Sequence, residues 1–283
     1  MMVWSGTLSA FQPPAYEARL DQGLFKYSPE FRAMADFPPT EGMIEQGLAR
    51  FRQERGGHTC AECHGESGEK LKGVAAGYPK FDPKLGKPKI IEQQINACLE
   101  QRMGQKPLAW EGDDLLLLTV YVKALANGLP LHVQADGPLA PFVAAGERAY
   151  RERVGQFDVA CRHCHESVAG SNLRAETMST PSNRGLGEKE ALVRAVLAAD
   201  AKGERGKAAS LAGATIGSGS AEHWPAFRLK WGKLASLQHR LRTCNQNVRV
   251  EPLPYGDDLY VNLELYLATL SNGLPVNVPG FRP

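Results

Sequence analysis

Cys60-Ala61-Glu62-Cys63-His64 and Cys161-Arg162-His163-Cys164-His165 carry one pattern, in which two cysteines separated by two residues are followed directly by a histidine. This pattern is typical of covalent haem attachment, because the cysteines form thioethers with the haem vinyl groups and the histidine ligates the iron. For one copy, the alternative is a redox or zinc Cys-x-x-Cys followed by an unrelated histidine. Two copies in one chain make that alternative a poor explanation, so we expect a c-type cytochrome with two covalently bound haem c groups.

Two of the six cysteines, Cys98 and Cys244, lie outside these motifs. They could form a disulfide between the two halves of the chain, remain buried thiols, or each ligate one haem iron. Met103 and Met178 compete for the ligand position, since methionine is the usual partner of histidine in small cytochromes c. The two methionines do not occupy matching positions in the two halves, so methionine cannot be the equivalent iron ligand in both.

The chain contains an internal repeat that bears on this choice. Ala126-Asn127-Gly128-Leu129-Pro130-Leu131-His132-Val133 returns as Ser271-Asn272-Gly273-Leu274-Pro275-Val276-Asn277-Val278, with Tyr121 and Tyr266 at the same offset. We interpret the chain as a tandem duplication, in which Cys98 and Cys244 hold nearly equivalent positions. Ligation needs only each domain's own fold, whereas a disulfide needs the equivalent residues to meet. We therefore predict the metal ligands His64 with Cys98, and His165 with Cys244.

The predicted fold is mainly α: a tandem pair of cytochrome c-like domains related by internal duplication, with an N-terminal extension. The proline-containing residues 1–40 form the extension, 41–137 the first haem domain and 138–283 the second. In each domain apolar residues at helical spacing predict three helices, namely 40–51, 89–102 and 113–126, then 141–150, 234–244 and 257–270. Thr40 is the expected N-cap of the first helix. The second domain carries an insertion at roughly 175–219, which is either surface decoration or a wall of a binding site.

Composition limits the function further. The chain has 33 basic and 31 acidic side chains and a formal charge of only +2, so nothing favours nucleic acid as a partner. No apolar run is long enough to span a membrane. Residues 1–11 lack the basic and apolar regions of a secretory signal, although haem attachment normally takes place outside the cytoplasm. We expect a periplasmic protein whose signal is not evident in this sequence.

An arginine precedes only one of the two remaining cysteines by one helical turn. Arg240 and Cys244 share a helix face, whereas Gln94 holds the equivalent place before Cys98. A guanidinium there would lower the thiol pKa and could hold an oxyanion through paired N–H donors; the alternative is a solvated arginine on an outward face. A thiolate at iron is also a nucleophile beside an electron acceptor. We therefore predict Cys244 and Arg240 as catalytic residues.

Several further stretches of the second half carry a family resemblance: residues 224–244, Val248-Arg249-Val250-Glu251-Pro252, Tyr255-Gly256, Glu264-Leu265-Tyr266-Leu267 and Pro279-Gly280-Phe281-Arg282. Together with both haem motifs they resemble the SoxA family, the larger cytochrome subunits of SoxAX complexes. The resemblance implies an L-cysteine S-thiosulfotransferase, which joins thiosulfate oxidatively to a cysteine of the carrier SoxYZ and passes electrons through haem to a SoxX-like small cytochrome. It also implies that Cys244 ligates the active-site haem as a thiolate or persulfide.

The resemblance leaves room for a basic substrate entrance, for which the candidates are Arg228, Lys230, Lys233, Arg240, Arg242 and Arg249. Two other functions stay open from the residues alone. One is a dihaem electron carrier without sulfur-transfer activity, and the other is a thiosulfate dehydrogenase that forms tetrathionate.

Overall fold

The structure, a computed structural model, describes residues 39–167, 172–173, 176–177 and 221–282. These residues belong to one compact unit. The predicted extension over 1–40 and the insertion over 175–219 lie almost entirely outside the described residues, and Met178 lies outside them as well. The predicted domain boundaries stay predictions.

Helices dominate the described residues, as predicted for a mainly α fold. They are α1 (Met43–Arg52), α2 (Cys60–His64), α3 (Ile91–Met103), α4 (Asp113–Ala124), α5 (Ala140–Arg151), α6 (Leu237–Asn247) and α7 (Asp258–Leu270). The chain also forms a π-helix at His163–Ser167 and short 3-10 turns.

Short strands complete the described residues. They are β1 (Lys80–Asp82), β2 (Lys87–Lys89), β3 (Asn172–Leu173), β4 (Glu176–Thr177), β5 (Ala226–Arg228), β6 (Lys233–Ala235) and β7 (Gly280–Arg282). Strands β1 and β2, β3 and β4, and β5 and β6 pair antiparallel, while β7 adds to β5 in parallel. None of the helices described here is long and apolar enough to cross a bilayer.

The two halves repeat one order of elements: a helix, the Cys-x-x-Cys-His segment, a hairpin, the helix with the remaining cysteine, and a closing helix. In each half the first and last helices cross at a glycine. A Cβ atom at Gly47 of α1 would overlap the carbonyl oxygen of Leu117 in α4, and one at Gly146 of α5 would overlap that of Asn262 in α7. Both crossings therefore require glycine. The tandem duplication stays our interpretation of this repetition.

Two local predictions are wrong. The N-cap of α1 is Gly42, whose φ of 74° suits glycine, and not Thr40. Leu234 lies in strand β6 and not in the cysteine helix, which begins at Leu237 after the N-cap Ser236. Cys244 is half-buried and thus lies at the edge of the core.

The repeated Asn-Gly-Leu-Pro segments join the halves to each other. The side chain of Asn127 accepts from the amide of Val278 at 3.0 Å and donates to its carbonyl oxygen at 2.8 Å. Asn272 makes the same pair of bonds with Val133, at 2.7 and 2.8 Å. Between them the two segments pair antiparallel around Pro130 and Pro275. Equivalent residues therefore exchange equivalent bonds across a local pseudo-twofold axis.

Candidate functional site

The first Cys-x-x-Cys-His segment forms the short helix α2, which a capping box begins. The hydroxyl of Thr59 accepts from the amide of Glu62 at 3.2 Å, and the Glu62 carboxylate accepts from the amide of Thr59 at 3.2 Å. Lys70 Nζ donates to the carbonyl oxygen of Cys63 at 2.9 Å. The ring of His64 lies 6.4 Å from that of Phe51. These contacts fix the first pair of cysteines and their histidine on one rigid turn.

Cys98 of α3 lies close to the cysteines of the first motif. Burial raises the pKa of the Cys60 thiol, Arg55 lowers it, and the nearby Cys98 raises it again. Gln94 Nε2 donates to Cys98 Sγ at 3.2 Å, so the residue one turn before this cysteine does reach its sulfur. A cavity of about 320 Å³ opens beside Cys98 between the β1–β2 hairpin and α3. The first motif and Cys98 therefore form one site.

The second motif has a different backbone. His163, Cys164 and His165 lie in a π-helix, whereas the matching residues of the first motif are α-helical. The amide of Ala160 donates to His163 Nδ1 at 3.0 Å and so orients the ring of His163, the residue directly before Cys164. Single-turn π-helices are frequent at functional sites.

Cys244 lies beside the cysteines of the second motif. Burial, followed by the charge of Cys244, raises the pKa of the Cys161 thiol to about 12. The same two causes raise the pKa of Cys164. Each remaining cysteine thus lies with the motif of its own half, and Cys98 and Cys244 do not form the alternative disulfide with each other.

Arg240 and Cys244 lie one turn apart on α6, and both are half-buried. Ser236 starts this helix: its hydroxyl accepts from the amide of His239 at 3.1 Å, and its carbonyl oxygen accepts from the amide of Arg240 at 3.3 Å. Thr243 Oγ1 donates to the carbonyl oxygen of His239 at 2.9 Å. The four-residue spacing therefore places the predicted guanidinium and thiol on one face of α6.

The six basic candidates do not form one entrance. Burial, then Lys233, Arg242 and Arg228, lowers the pKa of His239 to about 4, which places these three cations around one neutral imidazole. Arg228 is buried, with its guanidinium carbon 4.3 Å from the ring centroid of Trp231. Arg249 points elsewhere, since its Nη1 donates to Gln156 at 2.9 Å. Lys230 is exposed. The basic cluster of the second half is thus Arg228, Lys233 and Arg242.

Sequence reasoning missed the polar group next to this basic cluster. His239 Nδ1 lies 2.8 Å from the hydroxyl of Tyr255 and 3.5 Å from Glu111 Oε2, a carboxylate from the first half. Tyr255 stacks on Trp110 at 5.8 Å. Ser236, directly before α6, is a recognisable N-cap in the sequence. Nothing in the sequence, however, places Glu111 next to Ser236.

The residues present fit haem c. Each half offers two free thiols on one turn, a histidine directly after them, and a third thiol close to the first two. These are the groups that would form two thioether bonds and supply two iron ligands. A mainly helical fold with such a site defines a c-type cytochrome. A family model described as SoxA/TsdA, cytochrome c domain, matches residues 46–131.

The chain belongs to the SoxA family. The L-cysteine S-thiosulfotransferase subunit SoxA of Rhodovulum sulfidophilum is 30% identical over 253 residues, which cover 88% of this chain and 75% of the relative. The same subunit of Paracoccus pantotrophus is 28% identical over 240 residues, covering 84% and 69%. A crystal structure of SoxXA from P. pantotrophus matches with a TM-score of 0.73 and 27% identity, covering 92% of this chain and 86% of that chain.

Proposed function

We propose that this chain is a subunit of an L-cysteine S-thiosulfotransferase, which couples thiosulfate to a cysteine of a SoxYZ-like carrier protein. The names of its relatives support the reaction. The observation that carries the proposal to particular residues is the pairing of Arg240 with Cys244 on one turn of α6, beside Cys161 and Cys164.

Two haem c groups would be held by the chain's own residues. Cys60 and Cys63 would attach the first, with His64 and Cys98 as its iron ligands, and Cys161 and Cys164 the second, with His165 and Cys244 as ligands. When bound, haem c supplies a one-electron acceptor. Electrons would then leave toward a SoxX-like small cytochrome, a partner supported by the matching SoxXA structure. A periplasmic location follows from the family and from haem attachment outside the cytoplasm.

The coupling removes two electrons. The carrier's cysteine thiol and thiosulfate form one sulfur–sulfur bond between the thiol sulfur and the terminal sulfur of thiosulfate, and the thiol proton and two electrons are released. Thiosulfate carries two negative charges, so Arg240 would hold its sulfonate oxygens through paired N–H donors. Cys244, one turn further along the same helix, would lie next to the terminal sulfur. The half-buried position strengthens both interactions relative to open water.

The proposal predicts that Arg240→Ala lowers kcat/KM for thiosulfate by about tenfold or more, because a charge-assisted hydrogen bond contributes roughly 1.5–3 kcal/mol. The measurement is the rate at which the carrier's cysteine gains the thiosulfate mass, with the absorption spectrum of the holoprotein recorded alongside. Arg240→Lys keeps the charge without the paired donors and should lie between. Glu100→Ala, at an exposed position of α3 in the first half, should leave the rate unchanged.

One result would count against the role of Arg240, and two would count against the function. Unchanged kinetics in Arg240→Ala would remove Arg240 from the mechanism. Turnover of thiosulfate to tetrathionate without any carrier would favour a thiosulfate dehydrogenase, and electron transfer without sulfur transfer would leave a dihaem electron carrier.

The ligand assignment has its own test. We expect electron paramagnetic resonance of Cys98→Met and of Cys244→Met each to lose one low-spin thiolate signal, because methionine supplies a neutral thioether in place of a charged thiolate. Each variant is the control for the other, since the signal of the unaltered half should persist. Retention of both signals in both variants would refute the ligand pairs.

A further inference from the structure

The first half of the chain reaches into the second half at the start of α6. Glu111 lies in the loop before α4, at a φ of 60°, a backbone conformation that side chains other than glycine rarely adopt. Its carboxylate accepts from the hydroxyl of Ser236 at 2.5 Å and from the amide of Ser236 at 3.3 Å. The side chain is only 11% exposed. A buried carboxylate with two such bonds holds its partner firmly.

Ser236 connects Glu111 to the first turn of α6, which leads to Arg240. Its hydroxyl donates to Glu111 and accepts from the amide of His239, so both of its hydrogen-bonding functions are used. Its carbonyl oxygen accepts from the amide of Arg240 at 3.3 Å. One hydrogen-bonded chain thus runs from Glu111 through Ser236 to the backbone of Arg240, the residue that we propose to hold thiosulfate.

Among the described residues, the bond from a carboxylate of one half to the N-cap of the cysteine helix of the other is seen for α6 and not for α3. The N-cap of α3 is Ile90, which has no hydroxyl, and its amide is bonded instead by the Gln93 side chain of the same helix at 3.2 Å. The place that matches Glu111 in the repeat is occupied by Gly256, whose amide donates to Gln238 at 2.7 Å and whose carbonyl oxygen accepts from Gln93 of α3 at 3.4 Å, so α3 is contacted from the other half without a carboxylate. The helix held by a carboxylate from the other half is therefore the one that carries Arg240.

Burial raises the pKa of Glu111, whereas its hydrogen bonds from Ser236 and the charge of Lys233 lower it. A carboxylate next to the first turn of α6 interacts favourably with the positive end of the helix dipole. His239 Nδ1, 3.5 Å from Glu111 Oε2, and the hydroxyl of Tyr255 complete a polar group around the same turn. Trp231 packs edge-on against His239 at 4.7 Å and closes the other side. The first turn of α6 is thus held by charge, hydrogen bonds and packing together.

We infer that Glu111 is a positioning residue for the proposed reaction: through Ser236 it holds the first turn of α6, and with it Arg240, in place relative to the second Cys-x-x-Cys-His motif. The inference rests on the proposed function and gives the first half a role in the chemistry of the second. It does not require Glu111 to touch thiosulfate, the carrier or haem.

The test uses the holoprotein with Glu111→Ala, Glu111→Gln and Ser236→Ala. Glu111→Ala should lower kcat/KM for thiosulfate by about tenfold, because the first turn of α6 loses the hydrogen-bond acceptor that holds Ser236. Glu111→Gln still accepts from the Ser236 hydroxyl and should recover most of that loss. Ser236→Ala should reproduce the loss, and it serves as the second variant if Glu111→Ala does not fold.

A further cycle tests whether Glu111 acts through Arg240. In an Arg240→Ala background, Glu111→Ala should cause no further loss, because residues that act as one unit are not additive. Electron paramagnetic resonance adds a readout that does not depend on turnover. In Glu111→Ala, the g-values of the thiolate signal assigned to Cys244 should shift, while those of the signal assigned to Cys98 should stay the same. Glu100→Ala removes an exposed carboxylate of the first half and should change neither measurement.

Three outcomes would overturn the inference: unchanged kinetics in a folded Glu111→Ala protein, full additivity with Arg240→Ala, or equal shifts in both resonance signals, which would indicate general loosening. Failure of the proposed function would be recognised differently, as a wild-type holoprotein that transfers nothing to the carrier. In that case a shift of g-values confined to the Cys244 signal still supports positioning by Glu111, whereas the absence of any shift contradicts it.

Discussion

At the scale of single residues, the least expected group is a pair of carboxylates buried in the core. Glu264 of α7 and Glu92 of α3 are both buried. Burial, followed by the charge of Glu92, raises the pKa of Glu264 to about 8, while the charge of Lys123 and the nearby side chain of Gln238 act in the opposite direction. Burial likewise raises the pKa of Glu92. At neutral pH the folded protein therefore holds Glu264 in its protonated form.

This protonation makes stability depend on pH. The unfolded chain releases the Glu264 proton near 4.5 and the folded chain near 8. Between these values the folded state binds more protons, so the free energy of unfolding should fall as pH rises from about 4.5 to about 8. Glu264→Gln cannot ionise and should reduce this slope, with Glu92 accounting for part of what remains.

The slope can be measured by urea unfolding at several pH values within this window. Glu100→Gln, which alters an exposed carboxylate, is the matched control and should keep the wild-type slope. If Glu264→Gln and Glu100→Gln give the same slope as the wild type, Glu264 is not protonated in the folded protein.

At the scale of elements, helical spacing located most of the helices. The predicted helix at 257–270 is observed as Asp258–Leu270, and the one at 141–150 as Ala140–Arg151. These predictions hold because the spacing of apolar residues and the Asn-Gly stop are local signals. Leu234 was misplaced because it falls three residues before Leu237, a helical spacing that a strand residue can match by chance. Only its pairing with Phe227, seven positions earlier in the hairpin, distinguishes the two.

The same division applies to the candidate site. The two Cys-x-x-Cys-His segments and the Arg240–Cys244 spacing are local patterns, and the sequence alone displays them. The bond from Glu111 to Ser236 joins two halves of the chain, and the unusual φ of Glu111 follows from its surroundings. The π-helix at the second motif is equally hidden, since both motifs have the same spacing. What the sequence could not supply is therefore the structural support of the candidate site, whereas the proposed ligands and catalytic residues come from local patterns and stay predictions.

At the scale of the whole molecule, the paired Asn-Gly-Leu-Pro segments make the two halves one structure. Asn127 serves the backbone of Val278, and Asn272 serves that of Val133; both valines are buried. A buried amide and carbonyl group left without their partners would be costly. These two asparagines thus hold the halves in the arrangement that lets Glu111 reach α6.

Asn127→Ala and Asn272→Ala should each lower the free energy of unfolding by about 2 kcal/mol, because each removes two hydrogen bonds of roughly 1 kcal/mol. Chemical unfolding of the holoprotein measures the change, and Gln134→Ala, at an exposed position just beyond Val133, is the control that should leave stability unaltered.

The local symmetry further requires the two asparagine variants to lose similar amounts of unfolding free energy. A large loss in one and none in the other would mean that the reciprocal bonds do not contribute equally, and that the halves are joined mainly elsewhere. Similar losses, together with slower sulfur transfer in both variants, would tie the junction between the halves to the position of α6.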